Sequence, residues 1–158
     1  MCIRDRIYNS SNFGILSLSS SIDAQNLVIN KSGQSSFAGT YGGKYKLNHC
    51  TISNFWNSGI RQFPSVLFND FFIDSENNEY FNELFDVDIS NSIIYGNQNI
   101  EFLVENLSDT FLDFKLFNTL VKFEDVNNYF ENDSRYDFSN DQYCLLYTSP
   151  SPRDIPLS

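Results

Sequence analysis

The sequence predicts an all-β chain wound as a parallel solenoid, in which short strands joined by polar bends stack turn upon turn. Three observations predict it. A short strand-like motif recurs at near-constant spacing. Phe and Tyr are abundant while Ala is scarce, which favours strands over helices. Asn, Ser and Gly gather between the apolar runs, where they suit turns. Low charge density with many aromatics also sets the chain apart from disordered sequences.

In order, the chain opens Met1-Cys2-Ile3-Arg4-Asp5-Arg6 and closes Cys144-Leu145-Leu146-Tyr147-Thr148-Ser149-Pro150-Ser151-Pro152-Arg153-Asp154 and onward. Back-translated as ATG TGT ATA AGA GAC, the opening is contained in the reverse complement of TGT CTC TTA TAC ACA TCT, a coding of Cys144 to Ser149. A gene has no reason to begin and end on reverse complements, whereas a sequencing insert flanked by one adapter does. Both strings resemble translated transposase-adapter sequence; the alternative is a genuine N-terminus and a Pro-rich tail. Residues 1–6 and 144–158 are therefore expected to be adapter-derived and are set aside. The segment 7–143 is then expected to be a solenoid truncated at both ends, with flanking coils elsewhere in a longer protein.

Four segments superpose: Gln25-Asn26-Leu27-Val28-Ile29-Asn30, His49-Cys50-Thr51-Ile52-Ser53-Asn54, Asn91-Ser92-Ile93-Ile94-Tyr95-Gly96 and Asn118-Thr119-Leu120-Val121-Lys122-Phe123. Leu47, Ile89 and Leu116 stand two places before the last three; Ile22 takes that part in the first, one place further back. The successive spacings are 24, 42 and 27 residues. The long one contains an acidic aromatic insertion over 69–86, and without those 18 residues it too falls to 24. Further short strands are predicted at Phe13–Leu18, Ser35–Tyr41, Gly59–Phe63, Ser65–Phe68 and Ile100–Val104. Turns are predicted at Asn9–Asn12, Lys31–Gly33, Gly42-Gly43, Asn57–Gly59 and Gly96-Asn97. One such coil cannot bury its apolar face alone. Stacked at about 4.8 Å per layer, Ile and Val align into an interior column and Asn side chains at a recurring turn can hydrogen-bond between layers. The stretch 124–143 is acidic, Asn-rich and sparsely apolar, and fits either another loop or a shortened coil.

The segment 7–143 holds seven Lys+Arg against eighteen Asp+Glu, a formal −11. It lacks the basic footprint of a nucleic-acid binder. It also has no run of about 18 apolar residues to span a bilayer and no basic face for anionic lipid. With the ends set aside only Cys50 remains, too little for an internal disulfide or, with the single His49, for a zinc site. On a strand, Cys50 reads as a small buried hydrophobe.

Asn12-Phe13-Gly14-Ile15, Gly42-Gly43-Lys44-Tyr45, His49 to Trp56 and Ser92-Ile93-Ile94-Tyr95-Gly96-Asn97 resemble right-handed parallel β-helix repeat proteins of the pectate-lyase-like group, and in particular exported Bacteroidetes-type members. The resemblance covers most of 7–123. It implies a right-handed single-stranded parallel β-helix and an extracellular or cell-surface location, but no particular reaction.

Polysaccharide lyases of that group use a basic side chain as proton abstractor, often beside carboxylate-held Ca²⁺. Arg61 is the one mid-segment arginine, but Gln62, Phe63 and Pro64 match no such motif, and an ordinary surface arginine is the expectation. Glycoside hydrolases need paired carboxylates; Asp23, Asp86 and Asp88 are available, yet nothing singles out a pair. His49 reads as a turn or core-edge residue rather than a base. The insertion, with Asp70, Asp74, Glu76, Asn77, Asn78, Glu79, Glu83 and Asp86 amid Phe71, Phe72, Tyr80 and Phe81, lacks the spaced ligands of a calcium loop. It reads as a lateral loop whose aromatics cover the flank. Exposed aromatics could instead form a carbohydrate platform, with Phe55 and Trp56 also eligible, although core packing is the first expectation for that pair. The sequence thus predicts no catalytic, cofactor or metal residues. The function expected is a non-catalytic surface or adhesive module with a polysaccharide or cell-surface glycan as candidate partner. The alternative is a piece of a polysaccharide lyase or glycoside hydrolase whose catalytic coils lie elsewhere.

Overall fold

The structure, a computed structural model, describes residues 5–107, 114–136, 138 and 143–145, with residues 84, 85 and 143–145 as backbone alone. The strands are β1 (Arg6–Ser10), β2 (Ile15–Gln25), β3 (Val28–Ser32), β4 (Phe37–Asn48), β5 (Thr51–Asn54), β6 (Val66–Asn69), β7 (Phe71–Ile73), β8 (Glu79–Phe81), β9 (Leu84–Ser90), β10 (Ile93–Gly96), β11 (Phe102–Glu105), β12 (Phe114–Phe117), β13 (Thr119–Val121) and β14 (Tyr143–Leu145). A 3-10 turn covers Ser134–Tyr136. Among the described residues no helix is long and apolar enough to cross a membrane.

The protein is all-β, and its two large sheets are parallel. The first runs β1-β3-β5-β10-β13-β14. The second is built on β4, which pairs with β2 along both its halves. On its other side the first half of β4 takes β6 and then β11, and the second half takes β9 and then β12. Parallel neighbours need a long crossover, and here a strand of one sheet is the crossover for the other. The third sheet is the antiparallel hairpin β7–β8.

The corner from the second sheet into the first recurs with one chemistry. Asn26, His49, Asn91 and Asn118 all adopt left-handed backbone, with φ of 58°, 55°, 50° and 47°. Asn is the residue type that tolerates this conformation best after Gly. At the next position a side chain donates back to the carbonyl two residues earlier: Cys50 Sγ to Asn48 (3.4 Å), Ser92 Oγ to Ser90 (2.7 Å) and Thr119 Oγ1 to Phe117 (3.0 Å). Main-chain bonds continue through the bend, with Asn26 N–H donating to Asn48 O, His49 N–H to Ser90 O and Asn91 N–H to Phe117 O. Side chains add a ladder in which Asn118 Nδ2 donates to Asn91 Oδ1 (2.8 Å) and Asn91 Nδ2 to Asn48 Oδ1 (3.1 Å).

This corner explains where register departs from the sequence expectation. Three copies align as expected, with Thr51, Ile93 and Leu120 facing in turn. The first copy is one residue out: Val28, not Leu27, faces Thr51, and Ala24, not Ile22, faces Leu47. Asn26, rather than Gln25, is the bend residue equivalent to His49. The strands predicted at 13–18 and 35–41 are the first parts of longer bent strands, β2 and β4. They bend at Ser19 and at Tyr41-Gly42-Gly43, all with positive φ. The strand predicted at 59–63 does not form; that stretch is a loop. The excursion between β6 and β9 is 70–83, because Asn69 stays in β6 and Leu84 opens β9. The loop 55–65 adds length too, since Phe37 to Val66 is a step of 29 residues against 22 for Ile15 to Phe37.

Five inward columns build the core: Ile7-Ile29-Ile52-Ile94-Val121, Ile15-Phe37-Val66-Phe102, Ser17-Gly39-Phe68-Val104, Ile22-Tyr45-Val87-Phe114 and Ala24-Leu47-Ile89-Leu116. Each fully buried Ile or Phe contributes about 1.5–3 kcal/mol. Tyr45 is fully buried because Gly39 leaves space: a Cβ there would meet the Tyr45 and Phe68 rings. The Tyr45 hydroxyl lies 3.0 Å from the Gly42 carbonyl and 3.2 Å from Ser17 Oγ. The described residues between β13 and β14 form no named strand. Phe123, Phe130, Tyr136 and Phe138 pack together, and Tyr136 also meets Phe114 (5.4 Å between centroids).

The corner chemistry makes a prediction. Asn91→Val forces a β-branched residue into left-handed backbone, at about 1–2 kcal/mol or more, whereas Asn91→Gly keeps the conformation. Both variants lose the side-chain bonds to Asn48 and Asn118, so urea unfolding should place the Val variant about 1–2 kcal/mol below the Gly variant. Equal losses would show that the bend does not depend on its φ.

Candidate functional site: an aromatic hairpin beside a buried polar seam

The single histidine, His49, is exposed at a corner, and its backbone N–H serves the ladder. Cys50 is 1% exposed, and burial pushes its thiol pKa up, away from nucleophilic use. The three candidate carboxylates face outward in a lattice of alternating charge: Asp23 faces Lys46, Lys46 faces Asp88 and Asp88 faces Lys115. Asp86 faces Lys44 and pairs with its Nζ at 3.4 Å. Opposite charges directly across strands favour this register. Lys44 and Lys46 thus stand across from Asp86 and Asp88 on the neighbouring strand.

Arg61 is not the surface arginine the sequence suggested. It is buried, and its Nη2 meets Glu101 Oε1 at 2.5 Å. Glu101 Oε2 accepts from Ser65 N–H (2.8 Å) and Ser65 Oγ (2.7 Å), and Oε1 accepts from Gln98 N–H (2.7 Å). Arg61 Nη2 also donates to Asn97 Oδ1 (3.0 Å), and Gln98 Nε2 donates back to the Arg61 carbonyl (2.7 Å). Gly96 makes room, since a Cβ there would collide with the Glu101 carboxylate. Where Glu101 sits, neighbouring layers have Ser36 and Ser65, each directly before an inward residue, Phe37 and Val66. Asn54, fully buried, extends the seam: Oδ1 accepts from Ser32 N–H (2.9 Å) and Nδ2 donates to the Gln34 carbonyl (2.8 Å). This network pins the long loop 55–65 to the core; its charges are spent on each other.

The hairpin β7–β8 is different, because it presents its side chains outward. Its register sets Phe72 opposite Tyr80 on one face, and Phe71 opposite Phe81 and Ile73 opposite Glu79 on the other. Phe72, Ile73, Tyr80 and Phe81 are 45–48% exposed. The sequence places these aromatics over the flank; here they are half exposed. The Phe72 and Tyr80 rings lie 6.4 Å apart and 33° from coplanar, a slightly opened platform. Asp74 organises the turn. Its Oδ1 accepts from the N–H groups of Glu76 (2.8 Å) and Asn78 (2.9 Å), and its Oδ2 from Asn78 Nδ2 (2.9 Å) and Tyr80 OH (3.2 Å). Asn77 supplies the positive φ of 63°. The Asn78 side-chain bond, with the Asn78 and Glu76 amides and Tyr80, holds the Asp74 carboxyl below its usual range.

The base of the hairpin is fixed. Asn82 N–H donates to Asp70 O, Gly43 N–H to Glu83 O, and Asn82 Nδ2 to Ser19 Oγ and Tyr41 O. Gly42 permits this approach, because a Cβ would strike the Asn82 and Glu83 backbone. Buried Asp70 accepts from Leu107 N–H (3.0 Å).

Phe55 is exposed rather than packed in the core, and Trp56 is partly buried. Phe55 lies 5.9 Å from the Tyr95 ring, which Lys122 Nζ overhangs at 5.5 Å. A concavity of about 420 Å³ is lined by Phe130, Glu131, Asn132, Asp133, Ser134 and Tyr136. Its Asp133 is gripped by Arg135, which holds the carboxyl low. Among the described residues no group of three or more His, Cys, Asp and Glu could hold a metal ion. Comparison with protein-family models, curated proteins and solved structures finds no match in any of the three.

Two predictions follow from this geometry. Glu101→Gln leaves the buried Arg61 charge uncompensated and should cost about 3–5 kcal/mol in urea unfolding, while Arg61→Met with Glu101→Leu removes the charge but orphans the Ser65 and Gln98 donors and should recover only part of it. A Glu101→Gln protein of wild-type stability would contradict the ion pair. For Asp74, the folded pKa lies below the unfolded one, so its contribution is present at neutral pH and lost as pH falls through the folded value. The Asn78 and Glu76 amide resonances should titrate together below the ordinary carboxylate range in wild type and not in Asp74→Asn; titration at the ordinary carboxylate value would contradict the turn.

Proposed function

We propose that this chain is a non-catalytic carbohydrate-binding section of a right-handed single-stranded parallel β-helix, displayed outside the cell. The steps between facing residues support the β-helix: Val28 to Thr51 and Ile93 to Leu120 are each about two dozen residues and each crosses one corner of the same chemistry, and Thr119 to Tyr143 is a step of 24. The resemblance to pectate-lyase-like repeat proteins supports the handedness and the exported location.

The observation that carries the binding reading is the half-exposed Phe72–Tyr80 pair beside an ionised carboxylate and an amide, Asp74 and Asn78. Aromatic faces stack on the C–H faces of a sugar ring. Fixed acceptors and donors at their edge take its hydroxyls, the usual composition of a ligand site with few convergent polar groups. The ligand class is a neutral polysaccharide or cell-surface glycan. Residues 70–83 carry five carboxylates and no Lys or Arg, which disfavours an anionic polymer such as pectate.

A glycan array followed by calorimetry tests this. Binding of a neutral glycan should weaken at least about tenfold, or 1.4 kcal/mol, in Phe72→Ala with Tyr80→Ala, while the circular dichroism stays that of wild type. Absence of any glycan ligand, or equal binding by the double variant, would overturn the proposal. Release of sugar products would replace it with the carbohydrate-active enzyme alternative.

A further inference from the structure

The outer face of the first sheet carries a second aromatic pair, in a setting opposite in charge to the hairpin. Ile29, Ile52, Ile94 and Val121 point inward, so Asn30, Ser53, Tyr95 and Lys122 form an outward row. Just past that row Phe55 is 45% exposed and lies 5.9 Å from the Tyr95 ring. Asn30 Oδ1 accepts from Phe55 N–H (3.3 Å) and from Lys31 N–H (2.8 Å), which sets Lys31 beside Phe55. At the other end Lys122 Nζ stands 5.5 Å over the Tyr95 ring and donates to Gly96 O (3.2 Å). An ammonium has three donors, so Lys122 keeps two for a ligand.

Charge sets this face apart. Segments 26–35, 47–69, 91–100 and 118–123, which supply β3, β5, β10 and β13 with their flanks, hold no Asp or Glu, in a chain that has 20. Their Lys and Arg are Lys31, Arg61 and Lys122, and Arg61 is buried against Glu101. The next carboxylate along the chain, Glu124, lies beyond buried Phe123. Among the described residues neither Lys31 nor Lys122 forms an ion pair, whereas Lys44 and Arg135 do. In a chain of net −10, this sheet therefore presents aromatic rings flanked by positive charge that no carboxylate neutralises.

We infer that this face is a second binding site, separate from the hairpin, for a sugar chain bearing sulfate or phosphate esters. Phe55 and Tyr95 supply faces on which sugar rings stack. β3 and β13 are three strand spacings apart, about 14 Å, a span that suits an extended chain crossing the strands. The lysines at its two ends take the esters. An ammonium is a point charge with rotatable donors and suits a tetrahedral oxyanion. The fork that matches a planar carboxylate belongs to arginine, and Arg61 is committed inside. The chemistry thus favours sulfate or phosphate over a uronic acid. It also separates the two sites, because the five carboxylates of residues 70–83 repel the ligand that this face attracts.

Calorimetry on the full chain with dextran sulfate and dextran phosphate, against unmodified dextran and polygalacturonate of matched length, tests the inference. At least one ester should bind, more weakly as salt rises, and at least about tenfold more tightly than the two reference polymers. Lys31→Gln with Lys122→Gln should weaken that binding at least about tenfold, with the circular dichroism of wild type. Phe55→Ala, which removes a half-exposed ring, should weaken it in the same direction. Phe72→Ala with Tyr80→Ala should leave it unchanged, so this site and the hairpin stand or fail separately. Lys46→Gln with Lys115→Gln, on the Asp–Lys lattice, should leave it unchanged too. No binding of either ester, equal binding of polygalacturonate, or an equal loss in the Lys46 and Lys115 variant would overturn the inference. Binding of equal strength to phosphatidylglycerol vesicles would overturn it in favour of a membrane surface.

Discussion

Everything in this fold hangs on one backbone conformation repeated at one place. Asn26, His49, Asn91 and Asn118 each turn the chain through left-handed φ, and each hands a strand of the second sheet to a strand of the first. Because these bends lie in register, the strands between them have no freedom to slide. A one-residue slip would turn Ile29, Ile52 and Ile94 outward and break every column at once. The small donor after the bend, Cys50, Ser92 or Thr119, adds a second bond to a carbonyl that already accepts a bend amide from the neighbouring layer. The first corner has Leu27 there instead.

That constraint explains what was legible in the sequence. The pattern of Asn or His, then a small polar residue, then two aliphatics was visible, because bend chemistry and inward columns both write themselves locally. The first copy was misaligned because Gln25-Asn26 offers two polar residues, and only backbone φ says which one bends. β2 and β4 were seen as short strands because Ser19 and Tyr41-Gly42-Gly43 look like strand breaks, yet the parallel ladder continues past them. Arg61 was illegible. Its partner Glu101 is 40 residues on, and the Gly96 that makes room for the carboxylate resembles any turn glycine. Tyr136, whose hydroxyl bonds the Val104 N–H and carbonyl at the β11 edge, likewise lies in a stretch that composition marks as polar and unplaced.

The candidate site was half legible. The insertion announced itself by excess length, acid and aromatics. Its antiparallel pairing did not, because Phe71-Phe72-Ile73 and Glu79-Tyr80-Phe81 are too short to show alternation. The division of labour is then physical. Arg61 and Glu101 are tied to each other inside, the Asp–Lys lattice runs along the outer face, and the fixed hairpin holds an aromatic pair half exposed.

The most direct test of this account is a measurement of which strands bond, in solution and in which register. Couplings across hydrogen bonds, read by NMR, should link the Thr51 amide to the Leu27 carbonyl, the Ile93 amide to Cys50 and the Leu120 amide to Ser92. All three together would establish a parallel stack keyed to the corners. Antiparallel pairing among these segments, or a register in which Leu27 faces Thr51, would contradict it.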